Sequence, residues 1–144
     1  MTKDYDFARD NRIISQIVRE ETKDYNLEFR ERLINFAVEI IKFLSTIPKS
    51  SEYNVLIYQL SKSGSSIGAN YEESQSSSYK EFAQKTRISL REANESKYWL
   101  KVIQKLNIGD RKKLDYLLVE SDELSRIIGS IMSKVDRRIN SSAK

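Results

Sequence analysis

Glu92 and Glu95, three residues apart, are the side chains of this 144-residue sequence whose spacing suggests chemistry. On a helix they share one face, and two carboxylates there could form half of an all-oxygen site for a hard cation. The alternative is ion pairing with Lys85, Arg91 or Lys97 along or between helices. Helical di-iron sites combine Glu with Glu-x-x-His pairs, and this chain has no His and no Cys. That removes thiolate nucleophiles, imidazole bases and sulfur- or imidazole-ligated metals, leaving Lys, Tyr, Ser and carboxylates for any catalysis. The expectation is no catalytic residue, no metal, no cofactor and no small-molecule substrate.

The segment Gly64-Ser65-Ser66-Ile67-Gly68-Ala69-Asn70 departs most from its surroundings. Gly and Ser lower helix propensity, so they need a compensating close approach. A phosphate-cradling loop is excluded by the missing Gly-Lys-Ser/Thr ending and the absence of a preceding strand. The expected role is tight helix packing of Gly64 and Gly68 against small residues Ser89, Ala93 and Ser96. Polar groups aligned by that approach are Gln59, Ser66, Asn70 and Glu73 on one helix, with Lys85, Glu92 and Glu95 on the next.

Cations form three clusters. Lys97, Lys101 and Lys105 are spaced by four, a ladder on one helix face suited to a phosphate backbone. Arg111, Lys112 and Lys113 are consecutive, and Lys134 stands near Arg137 and Arg138. A solvated face is the alternative for each. Trp99 with Tyr98, beside the ladder, could stack on bases; the alternatives are an anchor in the core or a subunit contact.

The elements that position these residues are long helices. Four Gly and one Pro leave few turns, which disfavours a β-sandwich or barrel. Residues 1–26 read as an arm with a short helix carrying Ile13, Ile14, Ile17 and Val18. From Leu27, the residues Leu33, Phe36, Ala37, Ile40, Ile41, Phe43, Leu44 and Ile47 recur at helical spacing until Pro48. Ser51 offers the next N-cap, and Leu56, Leu60, Ser63, Gly64, Ile67 and Tyr71 point inward. Ser78-Tyr79-Lys80-Glu81 matches a capping box, followed by Phe82, Thr86, Ser89, Leu90, Ala93, Ser96, Leu100 and Ile103. Gly109 is the expected left-handed C-cap and Asp110 the next N-cap. The last helix carries Leu114, Leu117, Leu118, Ser121, Leu124, Ser125, Ile128, Ile131, Met132, Val135 and Ile139, leaving 140–144 as a frayed tail. Short connections make the helices of 27–139 an antiparallel, up-down-up-down, left-handed bundle.

At 144 residues, one domain is expected. No run of about 18 apolar residues spans a bilayer, and the start Met1 to Asp6 lacks a signal-peptide core. With no Cys as well, the expectation is a cytoplasmic protein without a membrane partner. A formal charge of +4 permits attraction to nucleic acid.

The string Ser63 to Glu73, then Glu81-Phe82, Ser89-Leu90-Arg91-Glu92-Ala93-Asn94-Glu95-Ser96 and Tyr98-Trp99-Leu100 resembles the bacterial four helix bundle protein family. Some of its members are encoded in intervening sequences of large-subunit ribosomal RNA genes. Its relatives include the accessory protein of diversity-generating retroelements. The resemblance covers about Phe29 to about Val135 and implies a four-helix subunit in a homo-oligomeric ring, typically a homopentamer, with nucleic-acid binding suspected. The family's recurrent polar positions fall on Gln59, Ser66, Asn70, Glu73, Glu92 and Glu95. The expected function is a non-catalytic, ring-forming module binding RNA or an RNA-protein partner through a basic surface; the alternative is a structural adaptor holding a protein partner.

Overall fold

The structure, a computed structural model, describes the backbone of residues 7–76 and 78–142 and the side chains of residues 23–76 and 78–141. The described residues form four helices: α1 (Phe7–Leu44), α2 (Ser51–Ser74), α3 (Tyr79–Leu106) and α4 (Arg111–Ser142). Each packs on its neighbours in the cycle α1, α2, α3, α4, and among the described residues the diagonal pairs make no close backbone approach. Cross-links show that neighbours run antiparallel. Arg30 meets Glu72 while Gly64 lies against Ile40. Lys85 meets Glu73 while Ser96 reaches Ser63. Arg87 meets Asp136 while Lys97 meets Asp122.

The arm is not a separate element, because α1 runs unbroken for 38 residues from Phe7. Between the apolar stripes lies Arg19-Glu20-Glu21-Thr22-Lys23-Asp24-Tyr25-Asn26. That stretch interrupts the apolar pattern but holds no Gly or Pro, so nothing ends the helix. Asn26 donates to Gln75 (2.8 Å), the C-cap of α2, so the 19 helical residues before Asn26 continue about 29 Å past that end. Ile13, Ile14, Ile17 and Val18 fall outside the described side chains. At the other terminus α4 continues to Ser142, so residues 140–142 are helical.

The core is built from the stripes read in the sequence. Leu33, Phe36, Ile40 and Phe43 of α1 meet Leu60 and Ile67 of α2, Leu100 and Ile103 of α3, and Leu117, Leu124 and Ile128 of α4, all buried. Each such side chain contributes roughly 1.5–3 kcal/mol on leaving water. Two residues expected inside, Ile41 and Ile139, are exposed. Ile41 follows the core residue Ile40, and the next position along a helix turns about 100° away.

The caps shift by one or two residues from expectation. Ser50, not Ser51, is the N-cap of α2, with extended backbone and a side chain accepting the Tyr53 N–H at 3.0 Å. Ser78 caps α3 as expected, accepting from the Glu81 N–H. That helix ends on Asn107, which takes the left-handed turn (φ 55°) in place of Gly109. Gly109 also has positive φ (78°), for a different reason: a Cβ there would lie 2.8 Å from the Phe43 ring. Asp110 accepts the Lys113 N–H (2.9 Å), and its own N–H donates to Thr46 (2.9 Å).

Candidate binding surfaces

The small-residue segment of α2 works in two directions. Gly64 and Gly68 face α1, not α3 as expected: a Cβ on Gly64 would lie 3.0 Å from Ile40, and one on Gly68 3.2 Å from Leu33. The serines serve α3. Ser89 donates to the Ile67 carbonyl (2.7 Å), Ser96 donates to Ser63 (2.9 Å), and buried Ala93 adds no bulk between them. Hydroxyls thus bind two helices at backbone distance without leaving those groups unpaired.

The remaining polar positions form the outer lip of this seam. Ser66 and Asn70 are satisfied on their own helix, by the Lys62 and Ser66 carbonyls. Gln59 is half-buried there. Glu73 pairs with Lys85 at 2.8 Å. Glu95 accepts from the Trp99 indole N–H at 3.2 Å, while the Trp99 ring packs on the core edge-on to Tyr98. Burial and then the adjoining Glu95 charge hold the Glu92 carboxyl above its ordinary value, against the downward pull of Lys62. Among the described residues no three His, Cys, Asp or Glu gather as a metal site.

The cation ladder is not one surface. Lys97 is half-buried and tied to α4, with its ammonium 3.0 Å from Asp122 and 3.4 Å from the Ser125 hydroxyl. Asp122 is held below the usual carboxylate range by Lys97, with Arg126 assisting against burial. Spacing by four places side chains on one face but advances about 40° per step, so Lys97 faces α4 while Lys101 and Lys105 turn outward. Lys101 borders the outer part of a groove between α3 and α4 that Lys97, Asp122, Glu123 and Arg126 also line.

The turn 107–110 then brings Lys105 in the last turn of α3 beside Arg111, Lys112 and Lys113 in the first turn of α4. Arg111 pairs with Asp115 at 3.0 Å, whereas Lys101, Lys105, Lys112 and Lys113 have no ion pair among the described residues. Lys134, Arg137 and Arg138 lie about 33 Å away along α4. Arg138 stacks on the Tyr79 ring at 4.5 Å and Arg137 donates to the Ser133 carbonyl at 3.3 Å. Lys134 borders a groove lined by Tyr25, Phe29, Tyr71 and Ile131. The two clusters are therefore separate.

A further polar cluster lies between α1 and α4. Arg32 of α1 clamps two carboxylates of α4, Glu120 and Glu123, with Glu120 buried. Those hydrogen bonds hold the guanidinium protonated beyond its ordinary range. The residues are 88 and 91 apart in sequence, so no local spacing announces the pairing.

Residues 25–130 match the family described as 23S rRNA-intervening sequence protein. The chain belongs to the 23S rRNA-intervening sequence protein family. No curated protein matches it. Among solved structures it is similar to a protein of unknown function from the S23 ribosomal protein family of Bacteroides thetaiotaomicron, with 32% identity and a TM-score of 0.63. That match covers 72% of this chain and 97% of the other. The family region thus starts at Tyr25, so the N-terminal half of α1 is outside the match. No helix among the described residues is long and apolar enough to cross a membrane.

Proposed function

We propose that this intervening-sequence protein is a non-catalytic, homo-oligomeric ring that binds RNA, or an RNA-protein partner, through the basic corner between α3 and α4. The observation that carries the reading is the run of Lys101, Lys105, Arg111, Lys112 and Lys113 across the α3–α4 turn, whose neighbouring acids are Asp110, Asp115 and, in the groove that Lys101 borders, Asp122 and Glu123. Three of these cations occupy the first turn of α4, which contains no acidic residue. Positive charge there opposes the helix dipole, a penalty of about 0.3–1 kcal/mol each. Residues placed against local stability fit a surface shaped for an anion. Repetition of the corner around a ring strengthens its field.

The contact expected is with the phosphate backbone, without base readout. Labelled structured RNA titrated with the protein should bind at low salt. Lys105→Glu with Lys112→Glu should weaken that binding, while Lys112→Glu alone raises thermal stability by about 0.3–1 kcal/mol through the dipole. RNA binding that is absent at low salt, or unchanged in the double variant, removes the proposal. Native mass measurement of the wild-type protein gives the number of copies.

A further inference from the structure

Tyr98 and Trp99, adjacent in sequence, part ways in the fold. The Trp99 ring packs on the core and its indole N–H is held by Glu95, whereas Tyr98 is 59% exposed. The two rings meet edge-on, with centroids 5.0 Å apart and planes at 76°, so the Tyr98 ring is braced by Trp99 while most of it faces solvent. Tyr98 also stands in line with cations. Arg87, Arg91, Asn94, Tyr98, Lys101 and Lys105 follow at steps of four, three, four, three and four, which makes one outward ridge of α3 about 27 Å long. All six are exposed, and no acid shares the ridge.

The acids that flank the ridge are engaged elsewhere. Asp136 pairs with Arg87, Asp122 with Lys97 and Arg126, and Glu123 with Arg32, while Glu95 accepts the Trp99 indole N–H. Arg91, Lys101 and Lys105 have no ion pair among the described residues. Phosphates answer such cations, but nothing in a bare polyanion or an acidic protein surface answers a braced aromatic ring between Arg91 and Lys101. A nucleobase does, because every base has a π-face that stacks on tyrosine whatever the sequence. Bases inside a duplex are stacked on one another, so only an unpaired strand offers that face. A lipid surface needs an apolar face wider than one ring. We propose that the outer ridge of α3 carries an unpaired RNA strand, with phosphates on Arg91, Lys101 and Lys105 and a base stacked on Tyr98. This deepens the RNA reading above and rests on it: the basic corner attracts the polyanion, and the ridge selects its single-stranded form.

Fluorescence anisotropy on the full chain tests it, with a labelled RNA of about 12 nucleotides that lacks self-complementarity and the same strand annealed to its complement. The unpaired strand should bind more tightly, although the duplex carries the denser charge. Tyr98→Ala should lower the affinity for the unpaired strand about 5- to 100-fold. The slope of log K against log salt should stay as in the wild type, because no phosphate contact is lost. Tyr98→Phe should bind as the wild type does, and Arg91→Gln should flatten the slope by about 0.7. A duplex bound as tightly as the unpaired strand, or a Tyr98→Ala protein with wild-type affinity, overturns the ridge and leaves the basic corner standing. Inorganic polyphosphate that displaces the strand as readily as unlabelled RNA of equal charge has the same consequence, since a bare polyanion or an acidic partner needs no base. If neither RNA binds at low salt, the corner and the ridge fall together.

Discussion

Thr86 has the one buried side-chain polar atom without a hydrogen-bond partner among the described residues. Its hydroxyl is fully enclosed on α3, so folding strips it of water and returns nothing. Thr86→Val keeps the shape and deletes the orphan, and should stabilise the protein by about 1 kcal/mol. A rise of roughly 2–4 °C in Tm is the corresponding reading; a fall would mean that the hydroxyl has a role. Glu92 behaves differently, because its strain depends on pH. Burial raises its folded-state value, chiefly, and Glu95 adds to the rise. The unfolded chain therefore ionises more readily, and stability is lost as pH climbs past the ordinary carboxylate value. Glu92→Gln should melt higher than wild type at pH 7, with the difference closing below about pH 4, where both states are protonated. Parallel melts across that range decide it.

At the scale of elements, the four helices and most of their buried faces were legible because each apolar stripe holds its period for several turns. What was not legible follows from contacts that have no local signature. Whether Ser50 or Ser51 caps α2 depends on which takes the extended backbone, and both are serines. Asn107 accepts the left-handed turn because its short polar side chain tolerates it, which frees Gly109 to answer the crowding of Phe43. That division predicts that Gly109→Ala is destabilising on two counts, the positive φ and the 2.8 Å approach, by about 1–3 kcal/mol in chemical denaturation. A neutral result would show that α1 yields at Phe43. The candidate sites divide in the same way. The basic corner could be read from Arg111-Lys112-Lys113 because it is contiguous. The separation of Lys97 from Lys101 and Lys105 could not, since it turns on Asp122 of another helix. The partner of Gly64 and Gly68 was misassigned to α3 for the same reason: a small residue reports a close approach without saying whose.

Across the whole molecule, charge is distributed unevenly. The outward positions of α3 and α4 include Arg91, Glu95, Lys101, Lys105, Glu123, Arg126 and Arg137, all exposed, whereas the exposed aliphatic line Leu27, Ile34, Val38 and Ile41 of α1 is interrupted by one charge, Glu31. The two surfaces must therefore respond to ionic strength in different ways. Binding of RNA at the basic corner releases counterions, so log K should fall linearly with log salt. Five cationic contacts give a slope of about −3.5 to −4.5 per subunit, at roughly 0.7–0.9 per phosphate neutralised. Assembly held by apolar burial gains little from screening, and sulfate should strengthen it. Following both in one salt titration, by RNA anisotropy and by light scattering, should show binding collapsing while the assembled mass holds. If the mass falls in step with the RNA signal, ion pairs hold the subunits together, and the division of labour between the two faces is wrong.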